Sequence, residues 1–417
     1  MDRRGFVKRS AAAAGAAALA SATASRPAKA APSPNEVVRV GLIGIGGMGG
    51  GHLNKLVNMS KQGEPVKVVA VCDVWDQRLD AAANVAGQDA KKYKDYRKLL
   101  EDKDIDAVLI ATPHHWHAQI TIDAANAGKD IYCEKPMTWW GDLTAPLKVA
   151  EAVARNKRVM QVGTNGLSDS IYPQAREHVR KGRLGQLIHA QASDMRNGYI
   201  DVYDPARKDA NLKPGENLDW EMWLGSAPKR PFDPGRYLSF RVFWDYAEGV
   251  GMDFFPHLLT PLVYVMEVGF PKRVTASGGL YDHKDGRETP DIFTTLIEYP
   301  NGPSVTLLGG VSNDSNLPMV IRGTDATLTF DTGPGAVIDP QGARVKDRQR
   351  EEIAREYDDS LDRHWQDFLQ CIKTREKPRS NEVIGAQVTM ALAMGIHAYR
   401  EGRAIEFDEK TGQAKFL

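Results

Sequence analysis

Only three cysteines, Cys72, Cys133 and Cys371, occur among 417 residues. So few exclude a disulfide framework, and a chain of this length must then rest on buried apolar surface. Cys72 and Cys133 fall in or beside predicted core strands, where cysteine acts as a small hydrophobe. An excess of charge of either sign is lacking too: 54 lysines and arginines face 54 aspartates and glutamates. No basic run interleaved with aromatics follows the first few residues, so no nucleic-acid partner is expected. No stretch approaches the roughly 18 consecutive apolar residues of a membrane span, and no internal repeat is present. What remains is an ordinary globular composition, 42% hydrophobic and 26% charged. The chain is too long for a single core, and two domains are expected.

Residues 1–30 stand apart. Asp2-Arg3-Arg4-Gly5-Phe6-Val7-Lys8 precedes a weakly apolar, alanine-rich run from Ala11 to Ala20, and Ala28-Lys29-Ala30 offers the small residues a signal peptidase reads. The paired arginines resemble the twin-arginine signal, which exports proteins already folded. A mature start at Ala31 and a periplasmic or otherwise exported location are therefore expected. Folding around a cofactor before export also fits a chain without a disulfide framework.

From residue 37 onward, short apolar runs alternate with helical stretches. Strands are expected at 37–43, 66–72, 106–111, 130–133 and 159–162, with a short segment near 93–96. Helices are expected at 52–59, 77–86, 117–127 and 143–156, the last requiring Pro146 in its first turn. This alternation predicts a parallel, doubly wound α/β sheet over 31–163. Residues 164–417 read differently. A helix at 172–181 and a strand at 187–193 precede a long loop, 197–246, rich in tryptophan and proline. Strand-like runs at 274–277, 292–299, 304–308, 319–321 and 327–330 follow, with Asn-Gly, Gly-Gly and Gly-Thr between them. They predict an α+β domain with a large open, mostly antiparallel sheet. Helices at 361–373 and 383–400 close the chain.

Gly44-Ile45-Gly46-Gly47-Met48-Gly49 is a G-x-G-x-x-G placed directly after a strand and before a helix. In that context Gly44 permits the tight turn, Gly46 lets the backbone approach a pyrophosphate, Gly49 allows close helix–strand packing, and Gly47 and Met48 open the helix whose N-terminus faces the phosphates. Asp73, ending the second strand, suits the adenosine ribose hydroxyls and favours NAD, since a carboxylate repels a 2′-phosphate. Arg78 nearby leaves NADP open. Glu134-Lys135-Pro136 ends a strand at the edge where open α/β sheets bind ligands. Asp253 and His257 stand four apart, a spacing that on a helix puts both on one face. Lysine, aspartate and histidine around a nicotinamide suit proton removal from an alcohol as hydride leaves its carbon. His114-His115-Trp116-His117 lacks the spacing of known metal motifs, so no metal is expected; after Thr112-Pro113 the run is read as lining the nicotinamide pocket. The aromatics Trp220, Trp223, Phe232, Tyr237, Phe243, Trp244 and Tyr246 suit either sugar stacking or the packing of an irregular loop.

With these motifs in order, the chain resembles the Gfo/Idh/MocA family, named for glucose–fructose oxidoreductase and inositol dehydrogenase. The likeness rests on G-x-G-x-x-G, Thr112-Pro113, Glu134-Lys135-Pro136 and Asp253-x-x-x-His257, and it spans essentially the whole mature chain. It implies an NAD(P)-dependent oxidoreductase acting on a secondary hydroxyl of a sugar, polyol or glycoside. Gly44, Gly46, Gly47, Met48, Gly49, Asp73, Thr112, Pro113, His117, Glu134 and Lys135 would then hold the cofactor. By the same resemblance Lys135 lowers the energy of the alkoxide, His257 is the general acid/base, and Asp253 orients the substrate or His257. The open sheet of the second domain would wall the active site and mediate homo-oligomerisation. One departure stands out: Phe255 occupies a position where the family commonly has glycine, and Pro256 precedes the histidine. Two rival functions remain at this point. One is glycoside cleavage by transient C3 oxidation with no net redox, suited to a tightly held cofactor; the other is a non-catalytic sugar- or nucleotide-sensing protein.

Overall fold

The computed structural model describes residues 36–417 except 301, 331–334, 343, 344, 346 and 359. The expected export signal and mature start lie outside the described residues. Val38–Ile43 (β1), Val66–Cys72 (β2), Lys91–Tyr93 (β3), Ala107–Ile110 (β4), Asp130–Cys133 (β5) and Met160–Val162 (β6) form a six-stranded sheet. Its order is β3-β2-β1-β4-β5-β6, and every pair is parallel. β4 and β5 are buried at every position, as expected of strands covered by helices on both faces. Helices Gly47–Lys61, Asp76–Ala86, His114–Asn126 and Ala145–Arg155 supply that cover, and Pro146 lies in the first turn of the last. The segment expected near residues 93–96 resolves into β3 and a short helix, Tyr96–Glu101. Asp95 caps that helix by accepting from Arg97 N–H, a polar N-cap of the preferred kind.

The second sheet has ten strands. Leu187–Met195 (β7), Arg273–Gly279 (β8), Ile292–Glu298 (β9), Ser304–Gly310 (β10), Val320–Gly323 (β11), Ala326–Phe330 (β12), Gly335–Pro340 (β13), Glu351–Ala354 (β14), Ile405–Asp408 (β15) and Gln413–Phe416 (β16) lie in the order β14-β13-β12-β11-β7-β10-β9-β8-β15-β16. Among the registered pairs, β7 with β10 is parallel and the others are antiparallel. Burial alternates along β9 and β10, because helices cover one face and water the other. Sequence reading did not anticipate β13–β16. They sit at the sheet's two ends; β14 and β16 are short and mostly polar, whereas the buried run Ala336–Ile338 of β13 and the alternation of Ile405 and Phe407 in β15 are signals that reading passed over.

Two helices tie the domains together. Leu361–Thr374 returns from the second domain and sets Trp365, Phe368, Leu369 and Ile372 into the core holding Val38, Val40 and Leu42 of β1. Trp365 stacks on Tyr132 of β5 with ring centroids 4.4 Å apart. Glu382–Glu401 packs against both Ala145–Arg155 and β8. The aromatic loop has a small core of its own: Trp220 stacks on Trp223 at 4.7 Å, and Trp223 meets Tyr246 edge-on at 4.6 Å. These buried rings pack on one another, and Trp223 and Tyr237 also border a cleft.

Candidate functional site

The strand order reverses between β1 and β4, and a cleft opens there at the carboxyl ends of the strands, where doubly wound sheets bind ligands. A cavity of about 550 Å³ runs from Gly44, Gly46 and Met48 past Asp73 to Lys135 and Asp253. Gly44 has φ +85°, and a Cβ there would lie 2.8 Å from backbone atoms of Ala111 and Thr112. A Cβ on Gly49 would collide with the carbonyl of Gly44, so the turn and the helix close on each other only with glycine at both positions. At Gly46 the nearest atom to an added Cβ is 3.6 Å away, and at Gly47 there is none within 4 Å. The space over these two glycines is therefore left for a ligand rather than filled by the protein.

Asp73 is buried at the end of β2. One carboxylate oxygen accepts from Ile45 N–H at 2.7 Å and the other from Trp75 N–H at 2.9 Å. Burial pushes its pKa up, against the charge of Arg78 and the backbone bonds. Arg78 lies over Trp75 and Tyr237, 5.0 and 5.3 Å from the ring centroids. Thr112, Pro113, His117 and Glu134 all line the cleft. Thr112 Oγ1 is buried without a partner, a hydroxyl a ligand can satisfy. The two ring nitrogens of His117 lie 2.7 Å from the carbonyl of Pro136 and 2.8 Å from that of Thr112; burial pushes its pKa down, and the neutral ring donates to one of these carbonyls at a time. A dinucleotide thus fits three features: an open glycine cradle, an acid at the ribose end and an orphaned hydroxyl beyond it. The segment after β7 clasps the adenosine end. Asn217 accepts from Asp76 N–H, Asp219 N–H donates to Val74, and Trp223 and Tyr237 wall the cleft.

At the other end Lys135 Nζ donates to the carbonyl of Asp253 at 2.8 Å and to its Oδ1 at 2.7 Å. Asp253 Oδ2 accepts from the Tyr203 hydroxyl at 2.7 Å and from Arg241 Nε at 3.1 Å. Burial raises the pKa of Asp253, but the charges of Lys135 and Arg241 more than offset it and hold the carboxyl well below the usual range. Sequence reading missed Tyr203 and Arg241. Arg241 sits in the Phe240–Tyr246 stretch, but nothing local marks it as reaching Asp253.

Asp253 and His257 line different cavities. The helical ladder is interrupted between Val250–Asp253 and Phe255–Met266, where Pro256 has no N–H to give, although Phe254 keeps helical dihedrals. Asp253 faces the cofactor cleft. His257, the one residue of Phe255–Met266 that is not buried, faces a second chamber of about 500 Å³ with Asn165, Asp169, Asp194, Arg196 and Arg355. Arg196 borders both cavities. Asp253 bonds Lys135, Arg241 and Tyr203 and not His257, although its charge acts on the imidazole; orienting the substrate is the expected role that stays open. Burial, then the charge of Lys135, pushes the His257 pKa down to about 4, leaving a neutral imidazole at neutral pH. Phe255 lines neither cavity. Its ring packs into the sheet over Gly309, where an added Cβ would lie 2.5 Å from it, so the bulk at this position alters the core and not the pocket.

The histidine run begins the helix His114–Asn126, three residues earlier than expected, with Pro113 as its N-cap. His115 turns away to Trp223 O at 3.1 Å. His114 lines the cleft and bonds the fully buried Glu248 through Nδ1 at 2.7 Å. Glu134 accepts from His52 at 2.8 Å, and His52 accepts in turn from Trp365 Nε1 at 2.9 Å. Because tryptophan only donates, His52 must carry its proton on Nε2, and Glu134 is the acceptor. Burial raises Glu134, while His52 and the Lys135 charge bring it below its ordinary value. Among the described residues no group of three histidine, cysteine or carboxylate side chains could hold a metal ion.

Comparison with known proteins agrees with this geometry. Residues 38–164 match the oxidoreductase family's NAD-binding Rossmann fold, and residues 176–416 match its C-terminal alpha/beta domain. The chain belongs to the Gfo/Idh/MocA family. Within that family it is 36% identical over 159 residues to an inositol 2-dehydrogenase of Salmonella typhimurium, covering 37% of this chain and 45% of the relative. It is 29% identical over 253 residues to a glycosyl hydrolase family 109 protein of Shewanella baltica, covering 52% and 54%. The chain thus spans about half the length of the curated relatives it matches. Over 89% of this chain the fold resembles the WlbA dehydrogenase of Bordetella pertussis in complex with NADH and UDP-GlcNAcA. That match has a TM-score of 0.65 at 18% identity and covers 99% of WlbA.

Proposed function

We propose that this member of the Gfo/Idh/MocA family oxidises a secondary hydroxyl of a sugar, polyol or glycoside. The observation that carries the reading is the Lys135–Asp253–Arg241 cluster, set at one end of the dinucleotide cleft, where Arg196 borders both that cleft and a polar chamber. When bound, NAD supplies the hydride acceptor. Lys135, positioned by its 2.7 Å contact with Asp253, stabilises negative charge on the substrate oxygen. His257, neutral at neutral pH, accepts the hydroxyl proton from the chamber side. Asn165, Asp169 and Asp194 present acceptors and a donor to further hydroxyls, and the inositol 2-dehydrogenase relative supports a polyhydroxylated substrate. Lys135→Ala and His257→Ala should each lower turnover by at least about a hundredfold while NAD binding survives. Full activity in either variant, with a substrate that reduces the cofactor, refutes the assignment.

A second reading is glycoside cleavage with no net redox. The family 109 relative favours it, as does the clasp over the adenosine end, which suits a retained cofactor. Product analysis separates the two: a ketone with stoichiometric NADH supports oxidation, and a free sugar with unchanged NAD supports cleavage. If no carbohydrate in a broad panel changes either sugar or cofactor, a sensor replaces both.

We also infer export through Arg3 and Arg4 to the periplasm; undiminished periplasmic protein after replacing both by lysine would overturn it. The half-exposed outer face of the ten-stranded sheet is inferred to pair copies of the chain, and a monomer mass by light scattering would refute that.

A further inference from the structure

A dehydrogenation releases the hydroxyl proton as the hydride leaves, and a step that runs back to the alcohol must recover one. Lys135 and Tyr203 already donate to Asp253, and His257, with a pKa of about 4, passes a proton on at neutral pH without holding it. One further acid–base pair borders the same cleft. His114 is buried, lines the cleft, and its Nε2 has no hydrogen-bond partner among the described residues. Its Nδ1 meets Glu248 Oε2 at 2.7 Å, while Glu248 Oε1 accepts from Trp140 N–H at 3.0 Å. Glu248 is wholly buried and does not itself line the cleft, so the His114 ring is the link between its carboxyl and the cavity.

The charges around this pair come from every side. Lys135 follows β5, Arg241 lies in the turn Phe240–Val242, Asp253 ends its short helix, and His117 shares the helix of His114. Together with Glu134, the two cations and two carboxylates of the nicotinamide end balance one another. A positively charged oxidised nicotinamide added there is balanced only if Glu248 is ionised. An uncharged reduced nicotinamide is matched if Glu248 is protonated. Burial pushes Glu248 well above and His114 well below their ordinary pKa values, so the pair keeps an added proton as carboxylic acid and neutral imidazole.

We propose that His114 and Glu248 form a proton store tied to the charge of the bound cofactor. His257 accepts the hydroxyl proton as the C–H electron pair leaves as hydride and the O–H pair becomes the C=O bond, and the proton passes on through the cleft to His114 Nε2. The Nδ1 proton passes to Glu248, and the sequence runs backward when the hydride returns. A site that oxidises and then re-reduces its substrate would thereby keep both hydride and proton in place. This rests on the reading that the cleft binds a nicotinamide.

The test needs no substrate. The full chain, freed of any co-purifying cofactor, is titrated with NAD and separately with NADH from about pH 6 to about pH 9. One proton linked to the cofactor's charge changes the ratio of the two affinities tenfold per pH unit. The expected result is that NADH loses affinity relative to NAD at that slope as pH rises, across the range where the store is filled in one complex and empty in the other. Glu248→Gln, which keeps the acceptor for Trp140 N–H, should flatten the ratio. If that variant does not fold, calorimetry of the wild type in two buffers of different ionisation heat decides: about one more proton should be taken up with NADH than with NAD. A ratio independent of pH, or equal proton counts, overturns the store. Failure of the wild type to bind either nucleotide overturns the nicotinamide reading beneath it instead.

Discussion

Asp253→Asn is the most informative single change at the site. Asp253 is 6% exposed; its carboxylate accepts one bond each from Lys135, Tyr203 and Arg241, and its backbone carbonyl accepts a further one from Lys135. Asparagine keeps the shape but removes the charge and points an NH₂ group at neighbours that are themselves donors. Lys135 and Arg241 are then two partly buried cations without their shared counter-charge. Removing one partner of a buried pair costs about 3–5 kcal/mol, most of it the penalty of the charge left behind. Lys135→Met is the instructive contrast. It leaves Asp253 still bonded by Arg241 and Tyr203, so the loss is closer to the about 1.5–3 kcal/mol of hydrogen bonds to a charged group. The two changes should not add: with Lys135 gone, Asp253→Asn strands one cation fewer, and the double variant should be milder than the sum by about 1–3 kcal/mol. Urea unfolding of the four proteins measures this cycle. If Asp253→Asn is no more destabilising than Lys135→Met, or the double variant is additive, the two cations do not depend on Asp253 as described.

Asp73→Ser should weaken NAD binding by about tenfold or more, the scale of one hydrogen bond to a charged group, and improve relative NADP binding; unchanged preference by calorimetry would remove Asp73 from the ribose. His115, His257 and His364 are each pushed down to about 4, chiefly by burial, whereas an unfolded imidazole titrates near 6.5. The unfolded chain therefore binds more protons between those values: stability is fully present above about pH 6.5 and is lost as pH falls toward 4, at up to about 4 kcal/mol per pH unit for three such groups. Urea midpoints that do not change between pH 7 and pH 5 would contradict it. Gly309→Ala places a methyl against the Phe255 ring and should cost about 1–3 kcal/mol through overpacking. Phe255→Leu should recover part of that cost, and thermal unfolding checks both.

The parallel domain was legible because its signals are local. The strands ending at Ile43, Cys72, Ile110 and Cys133 are short, largely apolar runs, and the turn at Gly44 needs glycine for reasons of backbone geometry within a few residues. Glu134-Lys135-Pro136 could be placed at the sheet's carboxyl edge on the same grounds. Of the four outer strands, β14 and β16 are short and mostly polar and could not be read, while the buried run Ala336–Ile338 of β13 and the alternation of Ile405 and Phe407 in β15 were signals left unread. The division of Asp253 and His257 between the cofactor cleft and the chamber beside it could not be read either, because their spacing is the same whichever cavity each one lines. The partners of Asp253 come from Lys135, Tyr203 and Arg241, far apart in the chain, and Glu248 finds His114 across more than a hundred residues. Short-range sterics and periodicity belong to the sequence by itself. The pairing of buried charges was decided only by tertiary structure, because which carboxylate meets which cation depends on segments that become neighbours once the chain has folded.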